Sequence, residues 1–217
     1  MENIETIIFD LDGVLWDLDF LEFGRMIAKD LKLEYSVQED FAKQIQNIVK
    51  IMLQKTEVKI TKEVIMDCIS EGFPNLEDYK IEANRIYFAL TNPNYNYCEN
   101  NTKALDVIHT LYDRGYKLTV KSNWFANVQF ANLKRYGYDI YFDQVVGIMD
   151  DYMKPNPLSV SQIIEGKDPK TFVVIGDTPQ KEMKLANALG MKSIWINEGE
   201  LPPPTEEDLK PTYEVHD

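Results

Sequence analysis

The stretch Thr6-Ile7-Ile8-Phe9-Asp10-Leu11-Asp12-Gly13-Val14 constrains the fold more than any other part of the chain. A short apolar run of this kind reads as a strand buried on both faces. It ends in two carboxylates one residue apart, with a glycine directly behind them. Open α/β sheets bind their ligands at the carboxyl ends of such strands. On a regular strand Asp10 and Asp12 would share a face, whereas a turn is free to splay them. Gly13 lets the chain turn away sharply at low steric cost. Acidic residues and glycine also favour ordinary turns, so the chemistry of this stretch depends on the partners supplied elsewhere.

The rest of the chain supplies a setting for that strand. From about Asp17 to Leu90 the pattern is helical only. Phe20, Phe23, Ile27 and Leu31 repeat at helical spacing, and Ser36 with Glu39 has the form of a capping box ahead of Phe41, Ile45, Ile48 and Met52. A third helix carries Val64, Ile65, Cys68 and Ile69 and stops near Gly72, and a fourth runs from near Asn75 to about Leu90. These stripes read as the core of a small bundle. Asn92-Pro93-Asn94 then closes the segment as a turn.

Beyond it strands and helices alternate. Strands are expected at Lys117–Lys121, Val145-Val146, Thr171–Ile175 and Lys192–Ile196, with helices between them ending at Gly115, Gly137 and Gly190. This alternation predicts an α/β fold, a Rossmann-like, mostly parallel sheet with helices on both faces. The first strand must join that sheet, because alone it would be unstable. The expected division is therefore a core of residues 1–16 and 93–217 with a helical insertion, 17–92. The tail around Pro202-Pro203-Pro204 reads as a surface loop.

Charge and composition narrow the function. With 23 basic and 36 acidic residues the net charge is −13, which argues against a broad basic surface for nucleic acid. A cation cofactor suits such a chain, and so does a plain solvated acidic surface. Cys68 and Cys98 are too few for a disulfide framework and read as reduced thiols of a cytoplasmic protein. No basic stretch leads into a long apolar run, so neither a secretory signal nor a membrane partner is expected.

Three later strand ends add polar groups. Ser122 and Asn123 follow the second strand, where a hydroxyl and free backbone N–H groups can bind an anion or cap the next helix. Lys154 stands before Pro155, which can aim the ammonium inward. Gly176-Asp177 ends an apolar strand, with Glu182 shortly after it, a placement that also suits a helix dipole.

Asp10-Leu11-Asp12-Gly13-Val14, Ser122, Lys154 and Gly176-Asp177 with Glu182 together resemble the four motifs of the haloacid dehalogenase-like hydrolase superfamily. The helical insertion directly after the first motif resembles the cap of the phosphoglycolate phosphatase and β-phosphoglucomutase branch. The resemblance implies that Asp10 is a nucleophile forming an aspartyl-phosphate and that Asp12 serves as general acid and then base. It implies that Ser122 and the Asn123 N–H hold the phosphoryl oxygens, and that Lys154 neutralises charge there. It further implies Mg²⁺ held by Asp10, the Asp12 backbone carbonyl and Asp177, with Glu182 behind them on a bound water or on Lys154. The implied substrate is a small phosphorylated metabolite. A carboxylate at Asp12 favours phosphoryl chemistry over halide release, which needs no acid there. The expected activity is a phosphatase, with a sugar-phosphate mutase or a non-catalytic binding protein as the alternatives.

Two positions depart from that pattern. The acid after Asp177 is usually aspartate and is Glu182 here, and Lys121 occupies a strand position that is usually apolar. Lys121 either snorkels to the sheet edge or reaches the site. Trp16 and Trp124 read as packing residues beside the motifs, and Arg25 and Lys43 as solvated helix residues.

Overall fold

The computed structural model describes residues 4–95, 98–100, 104–199 and 201–216. Strand β1 (Thr6–Phe9) is followed by β2 (Trp16–Leu18) and by helices α1 (Phe20–Asp30), α2 (Tyr35–Leu53), α3 (Lys62–Gly72) and α4 (Ala83–Leu90). Then come β3 (Cys98–Asn100), α5 (Ala104–Asp113), β4 (Lys117–Lys121), α6 (Ala126–Tyr136), β5 (Gln144–Val146) and α7 (Ser161–Ile164). The chain closes with β6 (Phe172–Gly176), α8 (Glu182–Leu189), β7 (Lys192–Ile196) and β8 (Tyr213–Val215).

Six of these strands form one sheet in the order β5-β4-β1-β6-β7-β8, and every pairing in it is parallel. β1 is central and all four of its residues are buried. Its alternation sends Ile7 and Phe9 into one core with Ile108 of α5 and Val128 and Leu133 of α6. Ile8 points the other way, into a second core with Ile163 of α7 and Leu185 and Ala186 of α8. Apolar side chains on both faces are what a sheet covered on two sides requires. The expected α/β architecture is therefore present, and the register Phe9↔Val120 and Phe9↔Ile175 brings three strand ends level with one another.

Helical structure starts later than the periodicity suggests. Trp16–Leu18 pairs antiparallel with Cys98–Asn100, so the chain leaves and re-enters the sheet region through a two-stranded ribbon. Pairing across 80 residues of sequence is invisible to a local helical pattern. The first helix begins only after Asp19, whose carboxylate accepts from Leu21 N–H and Glu22 N–H, both at 2.9 Å. Such a cap contributes about 1 kcal/mol.

Two further expectations fail. The Ser36–Glu39 capping box does not form, because α2 already begins at Tyr35 and its cap, Glu34, makes no side-chain bond. Glu39 instead takes the Arg25 guanidinium at 2.8 and 3.0 Å, a charge-assisted pair that outcompetes a neutral cap. The fourth helix is broken: a 3₁₀ turn at Leu76–Tyr79 ends in Lys80 at φ 54°, and α4 starts at Ala83. Before α7, Pro157–Val160 forms a 3₁₀ turn that leads into it. The C-terminal tail does more than loop. Leu209 is buried, and Tyr213–Val215 extends the sheet beside β7. Among the described residues no helix is long and apolar enough to cross a membrane. Cys68 and Cys98 are both buried and are not joined to each other.

Candidate active site

The ends of β1, β4 and β6 and the segment leading to Lys154 meet at one edge of the sheet. Asp10 follows β1 directly, and its N–H bonds the Ile175 carbonyl at 2.9 Å, which locks it against β6. Its Oδ1 accepts from Leu11 N–H at 2.9 Å and lies 2.8 Å from Lys154 Nζ. The same ammonium stands 2.7 Å from Glu182 Oε1. All three groups are almost sealed from solvent, at 4%, 1% and 0% exposure for Asp10, Lys154 and Glu182.

Burial alone would strip the proton from Lys154, but Asp10 and then Glu182 outweigh it and raise its pKa. Burial pushes the Glu182 carboxyl up against the pull of Lys154. Those two shifts point to different charge states of the pair. The 2.7 Å separation, with Asp10 claiming the same ammonium, favours a charged lysine shared by two acids.

Lys154 is aimed by Asn123. The Asn123 side chain accepts from Lys154 N–H at 2.8 Å and donates to the Lys154 carbonyl at 3.0 Å. A buried amide that grips one residue's backbone twice fixes where that side chain begins. The sequence pointed to the Asn123 backbone; its side chain has this separate task.

Asp177 follows β6, and Gly13 is what lets the turn after β1 approach it. Gly13 sits at φ +81°, and a Cβ there would stand 2.3 Å from Asp177 Oδ2. Asp177 Oδ1 accepts from Thr178 Oγ1 at 3.0 Å, and Trp195 Nε1 donates to the Asp177 carbonyl at 2.9 Å. Burial, and then the charge of Asp10, raise the Asp177 pKa. One oxygen each from Asp10, Asp177 and Glu182 fall within 4.8 Å of one another. Three carboxylates so close, with one ammonium among them, leave net negative charge, and an oxygen-seeking divalent cation suits that donor set. Glu182 for aspartate fits without strain in the chain path. Gly176 has no side chain where a Cβ would lie 2.1 Å from Glu182 Cγ, so the longer acid runs across it.

Asp12 is half-buried and faces β4. Its Oδ1 accepts from Trp16 Nε1 at 2.9 Å, and both oxygens lie 2.9 Å from Gln129 Nε2. Burial, and then Asp10, raise its pKa to about 6, while Gln129 and Trp16 pull it back. Ser122 Oγ donates to Asp12 Oδ2 at 3.4 Å and accepts from Gln129 Nε2 at 2.8 Å and Trp124 N–H at 3.1 Å. It does not cap α6, whose N-cap is Phe125.

The structure thus brings together Asp10, Asp12, Ser122, Asn123, Lys154, Asp177 and Glu182. A buried carboxylate beside a fixed ammonium, a second carboxyl able to exchange a proton, and a hydroxyl at a strand end can together carry group transfer to an acid. Trp16 is more than packing: its ring lies 6.0 Å from Tyr136 while its N–H holds Asp12. Gln129 carries no motif and escaped the sequence. Its one signal is that α6 buries two amides, Gln129 and Asn132, on its apolar face. Trp124 does pack, against Phe20 of α1 at 5.3 Å. Arg25 is spent on Glu22 and Glu39, and Lys43 is exposed. Lys121 neither snorkels nor touches the acids. It is fully buried, and its Nζ donates to the Gly147 carbonyl at 3.1 Å.

Comparison with known proteins agrees with this fold. The chain is 26% identical over 226 residues to the pyrimidine 5'-nucleotidase PynA of Streptococcus pneumoniae, covering 97% of this chain and 90% of that protein. A crystal structure of a HAD phosphatase from Thermococcus onnurineus superposes with a TM-score of 0.65 at 22% identity, covering 98% of this chain and 93% of that one. L-2-haloacid dehalogenase from Xanthobacter autotrophicus, with chloropropionic acid covalently bound, superposes with a TM-score of 0.67 at 14% identity, covering 98% and 94%. These likenesses show a shared fold that serves more than one reaction. The family model described as Haloacid dehalogenase-like hydrolase matches residues 7–196, which span nearly the whole sheet and include Asp10, Ser122, Lys154 and Asp177. The chain belongs to the haloacid dehalogenase-like hydrolases and is an enzyme of that family.

Proposed function

We propose that this hydrolase is a Mg²⁺-dependent phosphatase that cleaves a small phosphomonoester through an aspartyl-phosphate on Asp10. The observation that carries this reading is Lys154 Nζ, buried 2.8 Å from Asp10 Oδ1, with Asp12 two residues on and held toward Ser122. A carboxylate attacking a phosphate dianion is repelled unless positive charge is fixed between them. An acid at position 12 suits an alkoxide leaving group that needs a proton. The 26% identity to a nucleotidase supports a phosphate ester as substrate.

Asp10, Asp177 and the Asp12 backbone carbonyl would hold Mg²⁺, with Glu182 behind them on Lys154. The bound ion supplies positive charge to the phosphoryl oxygens. Lys154 and Leu11 N–H hold the Asp10 carboxylate through Oδ1 and fix the direction from which it would attack phosphorus. As the new O–P bond forms, the bond to the leaving oxygen breaks, and Asp12 gives that oxygen its proton. The ionised Asp12 then takes a proton from water, whose oxygen attacks phosphorus and releases inorganic phosphate from Asp10. Ser122 and the Asn123 N–H would hold the transferring oxygens.

Residues 17–92 would act as a cap over this edge, with core segments 1–16 and 93–217 beneath it. The paired β2 and β3 would serve as the hinge between the two, and the packing of Phe20 on Trp124 supports a contact of the first cap helix with the loop after Ser122. Closure would shield the acyl phosphate from bulk water. Turnover of p-nitrophenyl phosphate with Mg²⁺, lost in Asp10→Asn, is the expected result. Undiminished turnover in that variant refutes the nucleophile.

A further inference from the structure

Gln129 lies in the first turn of α6 and is 1% exposed. Its Nε2 reaches three oxygens: Asp12 Oδ1 and Oδ2 at 2.9 Å each, and Ser122 Oγ at 2.8 Å. An amide that merely needed satisfaction in the interior would find any nearby carbonyl. This one instead bridges residues at the ends of two different strands, and its Oε1 is left with no partner among the described residues. Every side-chain hydrogen bond it makes among the described residues goes to the site. Its own backbone is held apart from that bridge, by Gln129 N–H on the Phe125 carbonyl at 3.0 Å.

Asp12 needs such a tether. It stands in the turn between β1 and Gly13 rather than on the regular strand, and Asp10 repels it from two residues away. Trp16 Nε1 grips only Oδ1, and the Ser122 hydroxyl reaches Oδ2 at a long 3.4 Å, so these two alone hold the carboxyl plane weakly. The Gln129 amide, at 2.9 Å from both oxygens, holds the plane firmly and sets it relative to the Ser122 hydroxyl.

We propose that Gln129 is a positioning residue, which holds the Asp12 carboxyl and the Ser122 hydroxyl in one fixed relation so that the proton donor stands beside the leaving oxygen of a phosphoryl group bound at Ser122. The proposal rests on the phosphatase reading above. It adds a residue on α6 that acts through Asp12 and touches neither phosphorus nor the metal.

The consequence is selective. Loss of the tether slows the step that needs the proton and spares the step that does not. The test compares p-nitrophenyl phosphate, whose leaving oxygen departs unprotonated, with phenyl phosphate, which has nearly the same shape and a far more basic leaving oxygen. The quantity is kcat/KM, which reports on formation of the acyl phosphate. Gln129→Leu removes the donor; Gln129→Glu keeps the size and replaces the donor by an acceptor, so it guards against a packing defect. Melting temperature is followed for both.

The expected result for each folded variant is a fall of about 30-fold or more on phenyl phosphate and less than about 3-fold on p-nitrophenyl phosphate. An equal fall on both substrates, or no fall on either, overturns the positioning role while wild-type turnover leaves the phosphatase reading standing. If the wild-type enzyme with Mg²⁺ hydrolyses neither ester, the phosphatase reading itself fails and the proposal falls with it.

Discussion

Replacing Lys121 with methionine should stabilise the protein near neutral pH. The side chain is fully buried, and burial, then the charge of Lys154, lower its pKa to about 7 from an ordinary 10.5. In the unfolded chain the lysine stays protonated up to about pH 10.5. Between those values the unfolded state binds more protons than the folded one, so stability rises with pH across that window. With its pKa near 7 in the fold against 10.5 unfolded, at pH 7 folding carries a cost of about 4 kcal/mol for this group, falling to about 1 kcal/mol at pH 9.5.

Methionine removes that cost but leaves the Gly147 carbonyl without its donor at 3.1 Å, a loss of about 1–3 kcal/mol. The ionisation cost wins at pH 7, so Lys121→Met should gain about 1–3 kcal/mol there. The sharper quantity is the change with pH, because the hydrogen-bond loss largely cancels from it. Urea unfolding of both proteins at pH 7 and pH 9.5 should show the advantage of the variant shrinking by about 3 kcal/mol. A variant that is less stable than wild type by the same amount at both pH values would mean that the buried ammonium is charged and well compensated at neutrality, and would refute the reasoning.

Two other substitutions probe the charged centre. Gly13→Ala places a Cβ 2.3 Å from Asp177 Oδ2 at φ +81°, so it should cost at least about 1–2 kcal/mol in urea unfolding and weaken Mg²⁺ binding by calorimetry; unchanged affinity would show that the turn and Asp177 are independent. Lys154→Met leaves Asp10 and Glu182 buried without their shared cation and should cost about 3–5 kcal/mol in the absence of metal, with Mg²⁺ restoring part of it in thermal melts; a neutral substitution would mean that those acids are already protonated.

The parts of the site that were legible in the sequence are those fixed by strand ends. Asp10 and Asp177 could be found because an apolar strand announces where it stops, and parallel register then makes those stops neighbours. Lys154 was legible by its place before Pro155, but what aims it, the Asn123 amide, was not. Long-range pairing hid the rest. Trp16 reads as the entrance to a helical segment until Asn100 turns out to pair with it. Gln129 and Asp12 are joined by a side chain on α6, and no local period records a contact of that kind. The capping box failed because Arg25, on another helix, offered Glu39 a stronger partner. Lys121 shows the same limit from the other side. Its strand position was plain, yet only the fold reveals the carbonyl that receives its Nζ.

The central claim is that Asp10 carries the phosphoryl group. It is tested most directly by mixing the Mg²⁺-loaded enzyme with a ³²P-labelled aryl phosphate, quenching in acid within one turnover and locating the label by peptide mass. The label should sit on the peptide containing Asp10 and be absent from Asp10→Asn. Full turnover with no label on that peptide at any quench time would contradict the account.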